Sequence, residues 1–377
     1  MNITVEFLAK IDEIRNRQIP EEVLSRARQS LLDYLAVTSA GAAFQKDNIR
    51  NYIDFARPEE GDFNVFGCGC RLALKEAVFL NGLNGHALDF DDGTNSGIIH
   101  LGSPIFSLLL PLSQRYGNSL EEVLKAAVIG YEVSYTMAVS IQPRHKELGY
   151  HATGTCGVLG AATAAAYMLG FSDEERFHAF AAACVSATGM LSVLDSGAEL
   201  KPYNVAKTVL MALTSVQIAK AGFHGNPDPL GNPRGYLKMM TYNDDVEIKP
   251  FLLNNTYAIM KSYTKPYASC RYTHPSVEAA IHLRKRVKAE EVERIDIRTY
   301  SLAVSGHDHT DIQGSYSAKM SIPYAAAVGM IYGKAGLQEF GDDKAADKNI
   351  LDLANKIYIV SDDELSLLFP ERQAAVV

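Results

Sequence analysis

Tryptophan is absent from this chain, and cysteine is thinly used: Cys68, Cys70, Cys156, Cys184 and Cys270 are the five in 377 residues. An odd, sparse set in a long chain excludes a disulfide-stapled secreted scaffold and points to reduced thiols in the cytoplasm. Cys68 and Cys70 lack a second ligand pair at zinc spacing, so no structural zinc is expected there. Basic residues are outnumbered, 36 Lys and Arg against 44 Asp and Glu, which leaves a formal charge of −8. No cationic surface for phosphates follows from that balance, so a nucleic-acid partner is excluded. A small organic anion, which answers to a few local cations, is not. With 28 Gly and 14 Pro, the composition is not that of a disordered or collagen-like protein.

Long runs of large aliphatics are missing as well. The charge-free stretches Gly149–Ser172 and Phe177–Leu194 are built from Ala, Gly, Ser and Thr, which suits closely packed buried helices better than membrane spans. The opening MNITVEFLAKIDEIRNRQ has charges every few residues and no apolar h-region, so no secretory leader is expected. GxGxxG after a strand, GxxxxGKS/T, GxSxG and HExxH do not occur, so nicotinamide, ATP and serine-hydrolase chemistry have no support.

At about 150 residues per domain the length predicts two domains, or three, large enough to fold without staples. The first two thirds read as successive helices. Pro20-Glu21-Glu22 makes a favourable first turn, and Ser119 with Glu122 and Ser172 with Glu175 have capping spacing. In GVLGAATAAAYMLG the small residues allow close backbone approach. The character changes near residue 250. YAIMKSY (257–263), VERIDIRTY (292–300) and KIYIVSD (356–362) read as strands, PSVEAAIHLRKR and IPYAAAVGMIYG as helices, and the closing PERQAAVV as the start of another strand. The expected fold is mainly α: an all-helical domain over residues 1–255 and a smaller α+β domain over 256–377.

Four ionisable residues precede probable helix starts. His100 stands before Gly102-Ser103-Pro104, His151 before Thr153-Gly154-Thr155, Lys201 before Pro202 and His274 before Pro275-Ser276. A helix N-terminus carries about half a positive charge and unpaired N–H donors, so an acid belongs there for stability, and a cation fits only where an anion also binds. The same field disfavours imidazolium and leaves a neutral ring able to accept a proton. Taken singly, each of these residues is more readily a structural one, since ten histidines fall near helix starts by chance; only their convergence in space would favour function.

HALDFDD (86–92) crowds Asp89, Asp91 and Asp92 onto a helix C-terminus, where the dipole disfavours carboxylates. Asp89 orienting a histidine, a Mg²⁺ site of the aspartate-rich type, and a solvated acidic turn are all compatible with it. In KPYASCRYTH (265–274) Lys265, Arg271 and His274 form a set suited to a carboxylate-rich ligand. Cys270 there reads as a packed thiol rather than a nucleophile. Tyr324, after Pro323, is either a core aromatic or a phenol acid.

Taken in order, HALDFDD with its downstream histidine, HATGTCGVLGAATAAAYMLG, ELKPYNVAK, KPYASCRYTHPSVEAA and AKMSIPYAAAVGMIYG resemble the MmgE/PrpD family over roughly residues 5 to 375. That family includes 2-methylcitrate dehydratase, cis-aconitate decarboxylase and iminodisuccinate epimerase. The resemblance implies a helical domain with an α+β lid, a homodimer, and action on a small di- or tricarboxylate with neither metal nor organic cofactor. It places Asp89, His100, His151, Lys201, His274 and Tyr324 around the substrate as catalytic residues and brings in Lys265 as a carboxylate contact; Arg271 is expected as a substrate contact from the reading of residues 265–274 alone. Dehydration or decarboxylation is the expected chemistry. Epimerisation in the same pocket, and a non-catalytic homologue that only binds carboxylates, are the alternatives. The family's lid also implies further sequence beyond Val377, so the lid is expected to be incomplete at its C-terminus.

Overall fold

A computed structural model describes residues 2–193, 198–252 and 255–377. Leu194, the last residue of the second charge-free stretch, lies outside the described residues. The chain divides into two compact units. The first comprises Met1–Ala87, Asp91–Leu191 and Pro202–Thr264, and the second Leu88–Phe90, Ser192–Lys201 and Lys265–Val377.

The first unit is a stack of helices, among them Glu21–Phe44, Leu74–His86, Gly102–Tyr116, Leu120–Ile141, Gly157–Met168 and Asp173–Ser186. Both expected capping boxes form: Ser119 with Glu122, and Ser172 with Glu175. Each satisfies two of the N–H groups a helix start leaves open. Gly160 sets the core spacing. A Cβ there would stand 1.9 Å from Ser134 Oγ and 2.4 Å from the Gly130 carbonyl oxygen, so helices Leu120–Ile141 and Gly157–Met168 touch backbone to side chain. Ile105, Phe106, Leu109, Val158 and Leu159 are fully buried around this contact.

Two local expectations are corrected. The first unit is not purely helical, because Glu60–Val65 and Cys70–Leu72 pair as an antiparallel hairpin whose turn uses Gly67 and Gly69 at φ 79° and 68°. YAIMKSY is not a strand. The buried Glu132 carboxylate accepts the N–H groups of Leu252 at 2.7 Å and Ala258 at 2.8 Å, and Ala258–Lys261 winds into a 3₁₀ turn. Only Tyr263 retains a ladder contact, an isolated bridge to Gly93. A side-chain acceptor here takes a donor that a strand would have needed.

The second unit is α+β. Ile295–Thr299 is the central strand, parallel to Ile357–Ser361 and antiparallel to Ala375–Val376, so of the four strands read beyond residue 250 the last three form and YAIMKSY does not. Helices His274–Leu283 and Ile322–Tyr332 meet closely at Gly329, where a Cβ would lie 3.0 Å from the Val277 carbonyl oxygen. Mainly α, with a smaller α+β part, is the architecture found. Among the described residues no helix is long and apolar enough to cross a membrane.

Candidate active site

The four ionisable residues do stand at helix starts. Lys201 and His274 are the first residues of Lys201–Lys220 and His274–Leu283. His151 caps Ala152–Thr155, and His100 lies two residues before Gly102–Tyr116. The N-terminus after His100 is already occupied by an anion, however. Asp92 Oδ1 accepts from Gly102 N at 2.8 Å, while Tyr131 donates to its Oδ2 at 2.6 Å. Asp92, six residues beyond the end of helix Leu74–His86, thereby serves the N-terminus of the next helix rather than crowding the C-terminus of the last. Burial pushes the Asp92 carboxyl up from its ordinary value.

In the first unit Asp91 gathers the histidines. His86 Nδ1 lies 2.9 Å from its Oδ2, Ser103 Oγ donates to the same oxygen at 2.8 Å, and His100 Nδ1 stands 3.3 Å from Oδ1. Burial pushes Asp91 up, but the fields and hydrogen bonds of His100 and His86 outweigh it and hold the carboxyl well below its usual range. Ring centroids of His86 lie 4.6 Å from His100 and 5.7 Å from His151. Asn204 Nδ2 reaches both the Met190 carbonyl at 3.2 Å and His151 Nδ1 at 3.3 Å. A carbonyl only accepts, so that amide atom is the donor and His151 Nδ1 is an acceptor. The proton of the neutral ring is therefore on Nε2. His86 and Asp91 were not among the residues the sequence marked as catalytic. Their signal was the same acidic crowding that was read onto Asp89.

In the second unit Asp89 belongs to the lysines. Lys201 Nζ lies 2.5 Å and Lys265 Nζ 3.1 Å from its Oδ1, and Lys265 also donates to the Asp89 carbonyl. Asp89 holds a left-handed φ of 49°, a conformation tolerated by Asp better than by most side chains. With Asp89 engaged by ammonium groups, Asp91 by imidazoles and a hydroxyl, and Asp92 by a helix end and a phenol, the three acids are committed to separate donors. The shared Mg²⁺ reading of Asp89, Asp91 and Asp92 is poorly matched to that arrangement.

His274 is buried beside this group. Its Nε2 lies 3.2 Å from the Ser269 carbonyl oxygen. Burial, reinforced by the positive fields of Lys265 and Arg271, lowers its pKa to about 3. Arg271 is half-buried in a 3₁₀ turn on the same segment. Burial raises the Cys270 thiol, in keeping with a packed sulfur. Tyr324 is fully buried against Phe340, its hydroxyl donating to the Glu339 carbonyl at 3.2 Å. These are the contacts of a core aromatic. The sequence reading overlooked Lys319, 1% exposed. It stands in the last turn of helix Ser315–Met320 rather than at a helix start, so the rule that marked His274 did not mark it.

Comparison with known proteins supplies the decisive observation. Residues 5–249 match the MmgE/PrpD N-terminal domain and residues 267–377 the MmgE/PrpD C-terminal domain. The chain belongs to the MmgE/PrpD family. Among similar relatives, a cis-aconitate decarboxylase of Aspergillus terreus is 24% identical over 94% of this chain and 77% of its own length. Cis-aconitate decarboxylases of Mus musculus and Homo sapiens are each 21% identical, over 94% of this chain and 75% and 76% of theirs. The two matches of this MmgE/PrpD member leave residues 250–266 between them.

Proposed function

We propose that this protein is an acid–base lyase that needs no cofactor and acts on a small di- or tricarboxylate, with decarboxylation the leading form and dehydration the next. The observation that carries the reading is the buried group Asp89, Lys201 and Lys265 in one unit with a neutral His274. The similarity to cis-aconitate decarboxylases supports it.

Lys201 and Lys265 hold a substrate carboxylate and stabilise the negative charge that grows as a bond to the neighbouring carbon breaks. His274 is the base. Its Nε2–H is spent on a carbonyl, so the lone pair is on Nδ1, whereas His151 presents Nε2–H and suits donation. A carboxylate placed on Lys265 and Arg271 cancels part of the field that depresses His274 and raises its basicity when substrate is present. The histidines on Asp91 return a proton, and His100 takes this role in preference to Tyr324, whose hydroxyl is committed to a carbonyl. In decarboxylation the C–C electron pair passes into the conjugated acid as CO₂ leaves, and the proton goes to carbon. In dehydration Nδ1 removes the carbon proton and the returned proton goes to the departing hydroxyl. In epimerisation it goes to the opposite face of the same carbon. Homodimer formation and a cytoplasmic location belong to this proposal too.

Purified protein is incubated in deuterated buffer with cis-aconitate, 2-methylcitrate and iminodisuccinate, and carbon-bound deuterium and products are followed by NMR. Deuterium incorporation with loss of CO₂ or water, abolished in Lys201→Ala and His274→Ala, is expected. Exchange with inversion alone moves the assignment to an epimerase. No exchange with any of these acids leaves a carboxylate-binding homologue without turnover.

A further inference from the structure

On the first unit, two elements bring a carboxylate and two imidazoles to one point. Helix Asp173–Ser186 is pinned at its start by the Ser172–Glu175 box, and Glu174 and His178, four positions apart, share one face of it. The third group comes from the far end of helix Lys201–Lys220. That helix closes in a Schellman turn: Gly222, at φ 85°, donates to the Ala219 carbonyl at 3.0 Å, and Phe223 to the Ile218 carbonyl at 3.2 Å. The turn fixes the residue that follows it, His224. Beside it an ion pair between Lys220 and Glu175, 2.7 Å long, joins the two elements. Gly225 lies so close to the first helix that a Cβ there would stand 2.3 Å from that of Ala181. About 24 Å of helix separates Lys220 from Asn204, the residue in contact with His151.

The three side chains form an open ligand set. His178 Nε2 lies 3.8 Å and His224 Nε2 3.7 Å from the same Glu174 oxygen, and the two rings stack at 4.6 Å with planes 23° apart. Both distances exceed a hydrogen bond, so neither ring is bonded to the carboxylate through these atoms. All three donor atoms stand within 4.8 Å of one another. Tetrahedral zinc, with bonds of about 2.05 Å, sets its ligands about 3.3 Å apart, so the two measured edges close with a movement of about half an ångström. Glu174 and His224 are largely exposed and free to make it. As ion pairs these exposed contacts contribute little. As ligands, two imidazoles and a carboxylate suit zinc and its late first-row neighbours better than magnesium or calcium.

We propose that Glu174, His178 and His224 form a surface site for a divalent late first-row metal, zinc above all, that clamps the loop at 222–225 to helix Asp173–Ser186. Water completes the coordination, and the ion takes no part in the acid–base chemistry of the preceding section. One hydrogen bond is given up on binding. Gly225 N donates to His178 Nδ1 at 3.2 Å, so the neutral ring carries its proton on Nε2. A metal on Nε2 obliges the ring to carry that proton on Nδ1, and the Gly225 contact opens. The long neutral bond that is lost is weak beside a metal–imidazole bond, and the change of tautomer is a signature of the site.

Calorimetry on the tag-free full chain, with zinc chloride as probe and magnesium chloride as control, tests this. One zinc per chain is expected at the site, with affinity at least about tenfold lower in Glu174→Gln and in His224→Ala, since loss of an outer-shell partner alone already costs that much. In ¹⁵N spectra of histidine-labelled protein, zinc should perturb both rings and move the proton of His178 from Nε2 to Nδ1. No zinc binding, equal binding of magnesium, or zinc affinity unchanged in both variants overturns the inference. The tautomer change is read on the unaltered protein, so it decides the matter even where a variant fails to fold, and its absence at saturating zinc also overturns the inference.

Discussion

The carbonyl oxygen of Ser269 lies 3.2 Å from Nε2 of His274, and this one contact fixes where the ring proton resides. A carbonyl cannot donate, so Nε2 carries the hydrogen and Nδ1 the lone pair. With the pKa lowered to about 3, the base form persists over the whole physiological range. His274→Gln is expected to lower kcat by about 10²-fold or more, the usual contribution of a positioned general base. In kcat/KM against pH, protonation of this base gives no acid limb until pH approaches about 3. An acid limb near pH 6.5 that vanishes in His274→Gln would contradict the assignment.

His145 is a buried neutral histidine with a structural part. It contacts the Met240 carbonyl at 3.0 Å through Nδ1 and Thr155 Oγ1 at 2.7 Å through Nε2, and burial lowers it to about 4. In the unfolded chain an ordinary histidine titrates near 6.5. Between those values the unfolded state binds the extra proton, so stability falls as pH drops from about 6.5 towards 4, by about 1.4 kcal/mol per pH unit for one proton. Urea unfolding at successive pH values should show that slope, shallower by one proton in His145→Gln. An unchanged slope would mean that the imidazole is already protonated in the folded state.

Much of the fold was readable because local rules and tertiary packing agree. The capping boxes at Ser119 and Ser172, the small residues around Gly160 and the apolar runs of the last three strands each make the same demand in isolation and in the folded chain. YAIMKSY was misread because its competitor, Glu132, is more than a hundred positions away. The candidate site was legible in its cations, since a lysine or histidine at a helix start breaks a local rule visibly. Its carboxylates were harder. Asp89, Asp91 and Asp92 are nearly contiguous, and nothing in HALDFDD tells which one meets ammonium, imidazole or a helix end. Asn204 gave no signal at all, because a polar residue in the first turn of a helix is unremarkable until the folded chain brings His151 to it.

Gly160 is a packing requirement rather than a flexible point. A methyl group there would overlap Ser134 Oγ and the Gly130 carbonyl, and the second of these is backbone that cannot turn aside. Gly160→Ala should destabilise by about 2–3 kcal/mol as helices Leu120–Ile141 and Gly157–Met168 are forced apart. Denaturant unfolding measures it, and a loss below about 0.5 kcal/mol would show that the pair can slide without cost.

The adjacent acids Asp91 and Asp92 should separate rate from stability. Asp91→Asn keeps the shape but removes the charge on which His86 and His100 converge. By analogy with other carboxylate–histidine pairs, turnover should fall about 10²-fold or more while the unfolding midpoint barely moves. Asp92→Ala removes the acceptor for Gly102 N–H and leaves the buried Tyr131 hydroxyl unpaired, which costs about 2–4 kcal/mol from the lost cap and the unsatisfied group together. Asp92→Asn retains an acceptor and should recover most of that stability. Paired kinetics and unfolding on the three variants read both quantities. If Asp91→Asn and Asp92→Asn lose the same activity, the acids act as one unit, and the division of labour inferred from their hydrogen bonds is wrong.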